Sequence, residues 1–206
     1  MTIHDDVLTV MKPTSYKAVR DEVRDGDILL CSATDPMSRL IRWATGSQWS
    51  HIGIAYRLDE IDRVMVLEAV AKIGVRAVPL STFITRTSGG IHPYPGHILL
   101  ARHQGMGAKS RSNPMKKMAG FAFDRLGDPF SNREMVKIVM RIIAHKLGRK
   151  LPRMLVPDKE FICSEYVAGC YERLDLKAPW DGLGFIAPSD FAKDARVDAV
   201  ALIKTR

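Results

Sequence analysis

The sequence lacks the features of several protein classes. No run approaches the roughly 20 apolar residues of a membrane span, and residues 1–20 carry Asp5 and Asp6 but no apolar core of a secretory signal. We therefore expect a cytoplasmic protein with no membrane anchor. Hydrophobic residues make up 46% of the 206 positions, an ordinary composition for one globular domain with a full core.

Cysteine is scarce. The chain has three, Cys31, Cys163 and Cys170, and an odd number without CxxC spacing indicates neither a disulfide framework nor a zinc site. At least one thiol is therefore expected to be free.

Negative charge is scarce in one segment. The formal net charge of the chain is +8, and residues 132–159 contain eight basic and two acidic residues, a net charge of +6. Such a segment could bind an anionic membrane or polymer surface through Lys137, Arg141 and Arg149, although a solvated helix face explains it equally well. Nucleic acid is an unlikely partner, because no aromatic residues for base stacking are interleaved with these charges.

The hydrophobic pattern predicts strands in the first half of the chain and helices in the second. Strands are predicted at 27–31, 51–58, 63–70, 75–84, 97–103 and 196–204, and helices at 36–44, 114–127, 131–148 and 163–174. We expect an α+β fold in which an antiparallel sheet of about five strands packs against the helix that begins at Cys163. Residues 1–24 would be an N-terminal extension, 25–206 the domain, and 114–148 a helical elaboration of it.

Cys163 is a candidate nucleophile. Tyr166, Val167 and Cys170 follow it at i+3, i+4 and i+7, so Cys163 lies on the packing face of the predicted helix, in its first turn. There the helix dipole favours a thiolate, and unpaired N–H groups can hold an oxyanion. The alternative is a buried structural cysteine, which is the commoner role of a free thiol. Cys170, two turns deeper, is expected to lie in the core.

His51 and Glu68 are candidate partners of the thiol. His51 opens a strand directly after a turn, while His97 and His103 remain alternatives. If the four residues 59–62 form the loop of a hairpin, Leu58 opposes Arg63 and His51 becomes a diagonal neighbour of Glu68 on the same sheet face. A loop longer or shorter by one residue would turn Glu68 to the other face, where it could pair with an arginine such as Arg76.

Six short segments carry a resemblance to a known family. They are "GDILL" (26–30), "TGSQWSHIGIA" (45–55), "VLEAV" (66–70), "GDPF" (127–130), "FICSEYV" (161–167) and "IAPSDF" (186–191). In these the chain resembles the papain-like NlpC superfamily in its circularly permuted branch, the YiiX-like proteins, which are related to lecithin-retinol acyltransferase. The histidine precedes the cysteine by 112 positions, the order expected of the permuted branch.

The resemblance implies a thiol hydrolase or acyl transferase that needs no metal or organic cofactor. Cys163 would be the nucleophile, His51 the general base and Glu68 the group that orients the histidine. Its substrate would be a small peptide, amide or lipid, such as a cell-wall peptide. The alternative is a non-catalytic or acyl-transferring module that docks through segment 132–159. The proposed substrate cleft is lined by Trp49, Ser50, Ser164 and Phe130, with a core role as the alternative for Trp49 and Phe130.

Overall fold

The computed structural model describes residues 3–87, 90–107, 113–130, 162–177 and 186–205. The strands in these ranges are β1 (Pro13–Thr14), β2 (Ile28–Ala33), β3 (His51–Leu58), β4 (Arg63–Val70), β5 (Gly74–Pro79), β6 (Arg86–Thr87), β7 (Gly90–Ile91), β8 (Gly96–His103) and β9 (Val197–Ile203). The helices are α1 (Val7–Val10), α2 (Tyr16–Arg20), α3 (Pro36–Thr45), α4 (Leu80–Thr85), α5 (Asn113–Asp124), α6 (Cys163–Arg173) and α7 (Pro188–Lys193).

A seven-stranded sheet forms the centre of the fold. Its strand order is β1-β9-β8-β2-β3-β4-β5, and every pairing is antiparallel except the parallel pairing of β1 with β9. The α+β class expected from the sequence is correct, whereas the expected number of strands was too low. The N-terminal segment accounts for part of the difference: it supplies β1, and Ile3 and Val7 belong to the main core cluster.

Alternation along the strands places apolar side chains on both faces of the sheet. One cluster contains Ile52, Ile54 and Leu67 together with the buried face of α6, and the other contains Leu29, Cys31 and the buried residues of α4. A sheet covered on both faces needs strands that are apolar throughout, and β2 is buried at all six positions. The sheet therefore lies between two apolar layers, one on each face.

The predicted strand at 75–84 is wrong in its second half. β5 ends at Pro79, and Leu80–Thr85 forms α4. Proline has no N–H to continue a ladder. Beyond it Leu80, Phe83 and Ile84 are buried at i, i+3 and i+4, the helical period.

The hairpin of β3 and β4 has the predicted register. Leu58 pairs with Arg63, and the ladder runs from there to the pair of Ile54 and Leu67. Its connection is a short 3₁₀ turn, Asp59–Ile61, followed by Asp62 in the left-handed region at φ 51°, a conformation that aspartate tolerates better than most residues.

Candidate active site

Helix α6 places Cys163 at its first residue, as the sequence predicts. Tyr166, Val167 and Cys170 are fully buried, and the helix packs against β3, β4 and α5. The Tyr166 hydroxyl donates a hydrogen bond of 2.8 Å to the backbone carbonyl of Ala122 in α5. Cys163 itself is only half-buried, so its sulfur lies at the edge of the packed core.

The structure brings His51 and Glu68 into contact. His51 Nε2 and Glu68 Oε2 are 2.5 Å apart, and the two side chains are 20% and 1% exposed. Gly53 lies beside this contact: a Cβ at that position would be 3.6 Å from the Glu68 Cβ, an ordinary contact distance, but only 2.9 Å from Val66 Cγ1. The diagonal pairing expected from the hairpin register is confirmed.

Glu68 has a second partner that the sequence presented as an alternative to the first. Arg76 lies directly opposite Glu68 in the pairing of β4 with β5, and its Nε and Nη2 reach Glu68 Oε1 at 2.8 Å and 2.7 Å. Each oxygen of the carboxylate therefore serves a different neighbour. The same register arithmetic, extended through the turn between β4 and β5, could have found this contact.

These contacts decide the charge of the buried carboxyl group. Burial alone would raise the pKa of Glu68, but hydrogen bonding and charge from His51 and Arg76 outweigh it and lower the pKa. Glu68 is thus ionised at neutral pH although it is almost fully buried. A buried carboxylate with a partner on each oxygen meets the requirement that charges inside proteins be paired.

The imidazole of His51 is held in its charged form. Burial lowers its pKa, while the charge of Cys163 and a hydrogen bond with it, joined by the hydrogen bond and charge of Glu68, raise the pKa to about 10. Because Nε2 faces Glu68, Nδ1 is the ring nitrogen available to the sulfur.

The other two thiols have different surroundings. Cys31 is paired with His51 across β2 and β3 and is fully buried, and burial together with the charges of Glu68 and Cys163 raises its pKa. Burial also raises the pKa of Cys170. Both are thus neutral thiols with little access to solvent, in contrast to the half-buried Cys163.

Three of the four residues expected to line the cleft lie inside the fold. Trp49 is 2% exposed and belongs to the main core cluster. Ser50 is buried, and its hydroxyl lies 3.3 Å from both the Cys31 carbonyl and the Ala33 amide. These two side chains shape the turn before His51 by packing and hydrogen bonding, and do not form a cleft surface.

Ser164 and Phe130, the other two residues expected to line the cleft, also make contacts inside the fold. Ser164 is 1% exposed, and its hydroxyl donates a hydrogen bond of 2.6 Å to the carbonyl of Ile186, just before α7. Phe130 is half-buried and packs against the main cluster. Ser164 thus joins the first turn of the cysteine helix to the "IAPSDF" segment.

A cavity of about 440 Å³ lies away from these residues. It is lined by residues that include Asp25, Tyr56 and Lys116, and Tyr56 is five residues along β3 from His51, roughly 16 Å at the rise of a strand. Asp25 accepts a hydrogen bond of 2.7 Å from the Arg57 amide, so this carboxylate supports the strand end. The cavity is separate from the His51 site.

Other expected features are placed as follows. His97 is exposed on β8 and His103 is buried at its end, whereas the hydrogen bonds to the Glu68 carboxylate come from His51 and Arg76. The predicted helix 131–148 and the basic residues Lys137, Arg141 and Arg149 lie outside the described residues. No described helix has the length and apolar character needed to span a bilayer, and no cluster of potential metal ligands occurs in the same part of the chain.

Comparisons with known proteins concern the chain and its fold rather than individual side chains of the site. Residues 22–182 match the model of a family described as permuted papain-like amidase enzyme, YaeF/YiiX, C92 family. A solved structure titled metalloprotein yiiX from Escherichia coli O157:H7 has a similar fold, with a TM-score of 0.61 and 20% identity over 86% of this chain and 96% of that one. No curated protein sequence matches the chain significantly.

Proposed function

Because the chain belongs to the family of permuted papain-like amidases, YaeF/YiiX, C92, we propose that it cleaves an amide bond through a thiol acyl-enzyme. Cys163 is the nucleophile, His51 the proton carrier and Glu68 the group that orients the histidine. The observation that carries this assignment is the contact of 2.5 Å between His51 Nε2 and the buried Glu68 carboxylate. In support, the charge of Cys163 and a hydrogen bond with it are among the causes that raise the pKa of His51.

The charges of the site suit the first step. With the pKa of His51 raised to about 10, the imidazole carries a proton at neutral pH and can stabilise the thiolate of Cys163. The thiolate attacks the substrate carbonyl, and its carbon–sulfur bond forms as the carbonyl π electrons move to oxygen. The resulting oxyanion would be held by N–H groups of the first turn of α6, which have no partner within the helix.

The second step restores the enzyme. His51 gives its proton to the leaving amine as the carbon–nitrogen bond breaks, which leaves a thioester on Cys163 and a neutral imidazole. The imidazole then takes a proton from water as the water oxygen bonds to the thioester carbon. The carbon–sulfur bond breaks next, which releases a carboxylic acid and returns the Cys163 thiolate beside the His51 imidazolium. Replacing water by another nucleophile would turn the same residues into an acyl transferase.

The substrate class follows from the chemistry and the family. A thiol acyl-enzyme can cleave the amide bonds of peptides, including cell-wall peptides, and the acyl bonds of lipids. We favour an amide substrate because the matching family is described as amidases. Lysophospholipids and wall peptides can be compared directly as competitors of covalent labelling at Cys163.

Selective alkylation tests the proposal. We expect iodoacetamide at neutral pH to label Cys163 well before Cys31 and Cys170, both fully buried, as measured by mass spectrometry of peptides. His51→Ala should slow this labelling at least tenfold, because the imidazolium that stabilises the thiolate is lost. Equal reactivity of the three thiols in the folded protein, or unchanged labelling in His51→Ala, would contradict the mechanism.

A chelator separates thiol chemistry from metal chemistry. The structural neighbour is titled a metalloprotein, and a metal-dependent reaction would be lost on dialysis against EDTA and restored by a divalent ion. The proposed mechanism predicts that EDTA changes neither the labelling of Cys163 nor the turnover of a wall peptide that competes with this labelling.

Docking of segment 132–159 on an anionic surface remains a separate prediction. It is tested by comparing the vesicle binding of the wild type with that of a variant in which Lys137, Arg141 and Arg149 are all neutralised.

A further inference from the structure

Glu68 is fixed from two sides within three neighbouring strands. His51 begins β3, Glu68 lies on β4, and Arg76 lies opposite Glu68 on β5. Oε2 of the carboxylate meets His51 Nε2 at 2.5 Å, and Oε1 meets both Nε and Nη2 of Arg76 at 2.8 Å and 2.7 Å. The arginine uses two donors on one oxygen and leaves the other oxygen to the histidine.

This geometry restricts the motion of the carboxylate. A glutamate side chain has three rotatable bonds, and a single contact with an imidazole would leave the carboxyl group free to swivel about it. Two donors of the rigid guanidinium fix the position of Oε1. With Oε2 on the imidazole, the carboxylate is then held at both of its oxygens. The direction in which Oε2 meets the ring is thereby set.

The charges of the site also balance only when the arginine is included. In the reactive form the order across the fold is a Cys163 thiolate, a His51 imidazolium, a Glu68 carboxylate and an Arg76 guanidinium. Their signs alternate and their sum is zero. Without the guanidinium the other three groups would carry a net negative charge, which opposes formation of the thiolate.

We propose that Arg76 is a positioning residue of the cysteine hydrolase, which acts through Glu68 to keep the carboxylate ionised and directed at His51. This inference rests on the proposed function and adds a fourth member to its residues. The guanidinium is 37% exposed at the side chain and stands on an edge strand. Because the Glu68 carboxylate is 1% exposed, loss of the guanidinium would leave a buried charge with one partner fewer and destabilise the fold. A purely structural role therefore predicts a lower unfolding midpoint with no shift in the pH profile of Cys163.

The test uses the pH dependence of Cys163 alkylation, which needs no known substrate. In Arg76→Gln the acidic limb of the profile should move up by about one pH unit, and labelling near pH 6 should slow about tenfold. Two effects move the acidic limb to higher pH. Without the guanidinium Glu68 takes up a proton more readily, and the Cys163 thiolate forms less readily because the site has lost a positive charge. Arg76→Lys keeps the positive charge but loses the pair of guanidinium donors. Its acidic limb should lie close to that of the wild type.

Arg102→Gln is the matched control. Arg102 makes a similar fork to a buried carboxylate, with Nε and Nη2 each 2.7 Å from the oxygens of Asp27, but Asp27 borders Ala55, four residues along β3 from His51. This variant should lower the midpoint of thermal unfolding and leave the alkylation profile in place. A profile in Arg76→Gln that coincides with that of the wild type would overturn the inference.

The outcomes separate this inference from the proposed function. If His51→Ala slows labelling while Arg76→Gln leaves the profile unchanged, the hydrolase site stands and the role of Arg76 is refuted. If His51→Ala has no effect, the proposed function fails first. Should Arg76→Gln not fold, the Arg76→Lys profile decides: a wild-type acidic limb with a reduced plateau supports positioning through the fork, and an unchanged plateau refutes it.

Discussion

Replacing Glu68 by glutamine removes the charge that faces His51, together with the charge that pairs with Arg76. The amide has nearly the same shape as the carboxylate, which is 1% exposed and 2.5 Å from His51 Nε2. A hydrogen bond to a charged group contributes about 1.5–3 kcal/mol, against about 1 kcal/mol for a neutral one. The imidazolium should therefore lose about 0.5–2 kcal/mol of stabilisation, and the upper middle of this range corresponds to roughly a tenfold loss in the population of the thiolate–imidazolium pair.

The assay is the second-order rate of alkylation of Cys163 by iodoacetamide as a function of pH. Near pH 6, where the thiolate depends on the imidazolium, Glu68→Gln should react about tenfold more slowly than the wild type. Above about pH 10, where the His51 ring loses its proton, the free thiolate no longer needs the histidine and the two rates should converge. This convergence shows that access to the sulfur is unchanged.

Glu60→Gln provides a control of the same chemistry. Glu60 is exposed in the turn of the same hairpin, so its replacement should leave the rate unchanged at every pH. If Glu68→Gln remains folded and reacts like the wild type near pH 6, the carboxylate does not stabilise the imidazolium and the assignment of Glu68 is refuted. A rate difference that persists unchanged above pH 10 would instead indicate altered access.

Two further substitutions test how the site is built. Ser164→Ala removes the 2.6 Å hydrogen bond to Ile186 and should lower the free energy of unfolding by about 1 kcal/mol in urea titration, with slower Cys163 labelling because the first turn of α6 is less firmly held; no change in either would show that the bond contributes nothing. Gly53→Ala brings a Cβ to 2.9 Å from Val66 Cγ1 and should cost about 1–3 kcal/mol by overpacking, and its labelling profile should shift toward that of Glu68→Gln. Wild-type labelling in a destabilised Gly53→Ala protein would show that the spacing of the strands does not position the carboxylate.

The half of the site that comes from the hairpin could be predicted because its geometry is local. A loop of known length sets the register of two adjacent strands, and the side-chain period of two then decides which residues share a face. Glu68 was recognisable as a charge within an apolar strand, and Gly53 as space beside it. The prediction depended on the 3₁₀ turn keeping the expected loop length, which Asp62 permits in its left-handed conformation.

Other features depend on contacts between distant parts of the chain. β1 pairs in parallel with β9 across more than 180 residues, and two residues of strand carry too little pattern to reveal such a partner. The burial of Trp49 and Ser50 also follows from packing that the sequence does not specify. The sequence presents Arg76 and His51 as alternative partners of Glu68, whereas the two oxygens of the carboxylate hold one of them each.

The proposed site combines residues from two separate parts of the chain, three neighbouring strands and one helix. His51, Glu68 and Arg76 lie on three consecutive strands within 26 residues of chain, so their row of charges is set by two short connections. Cys163 comes from more than 100 residues away, on a helix that packs on β3 and β4 and is tied to α5 through Tyr166. The order of the two parts along the chain is immaterial to this packing. A circular permutation can therefore exchange them while the helix still packs on the same strands.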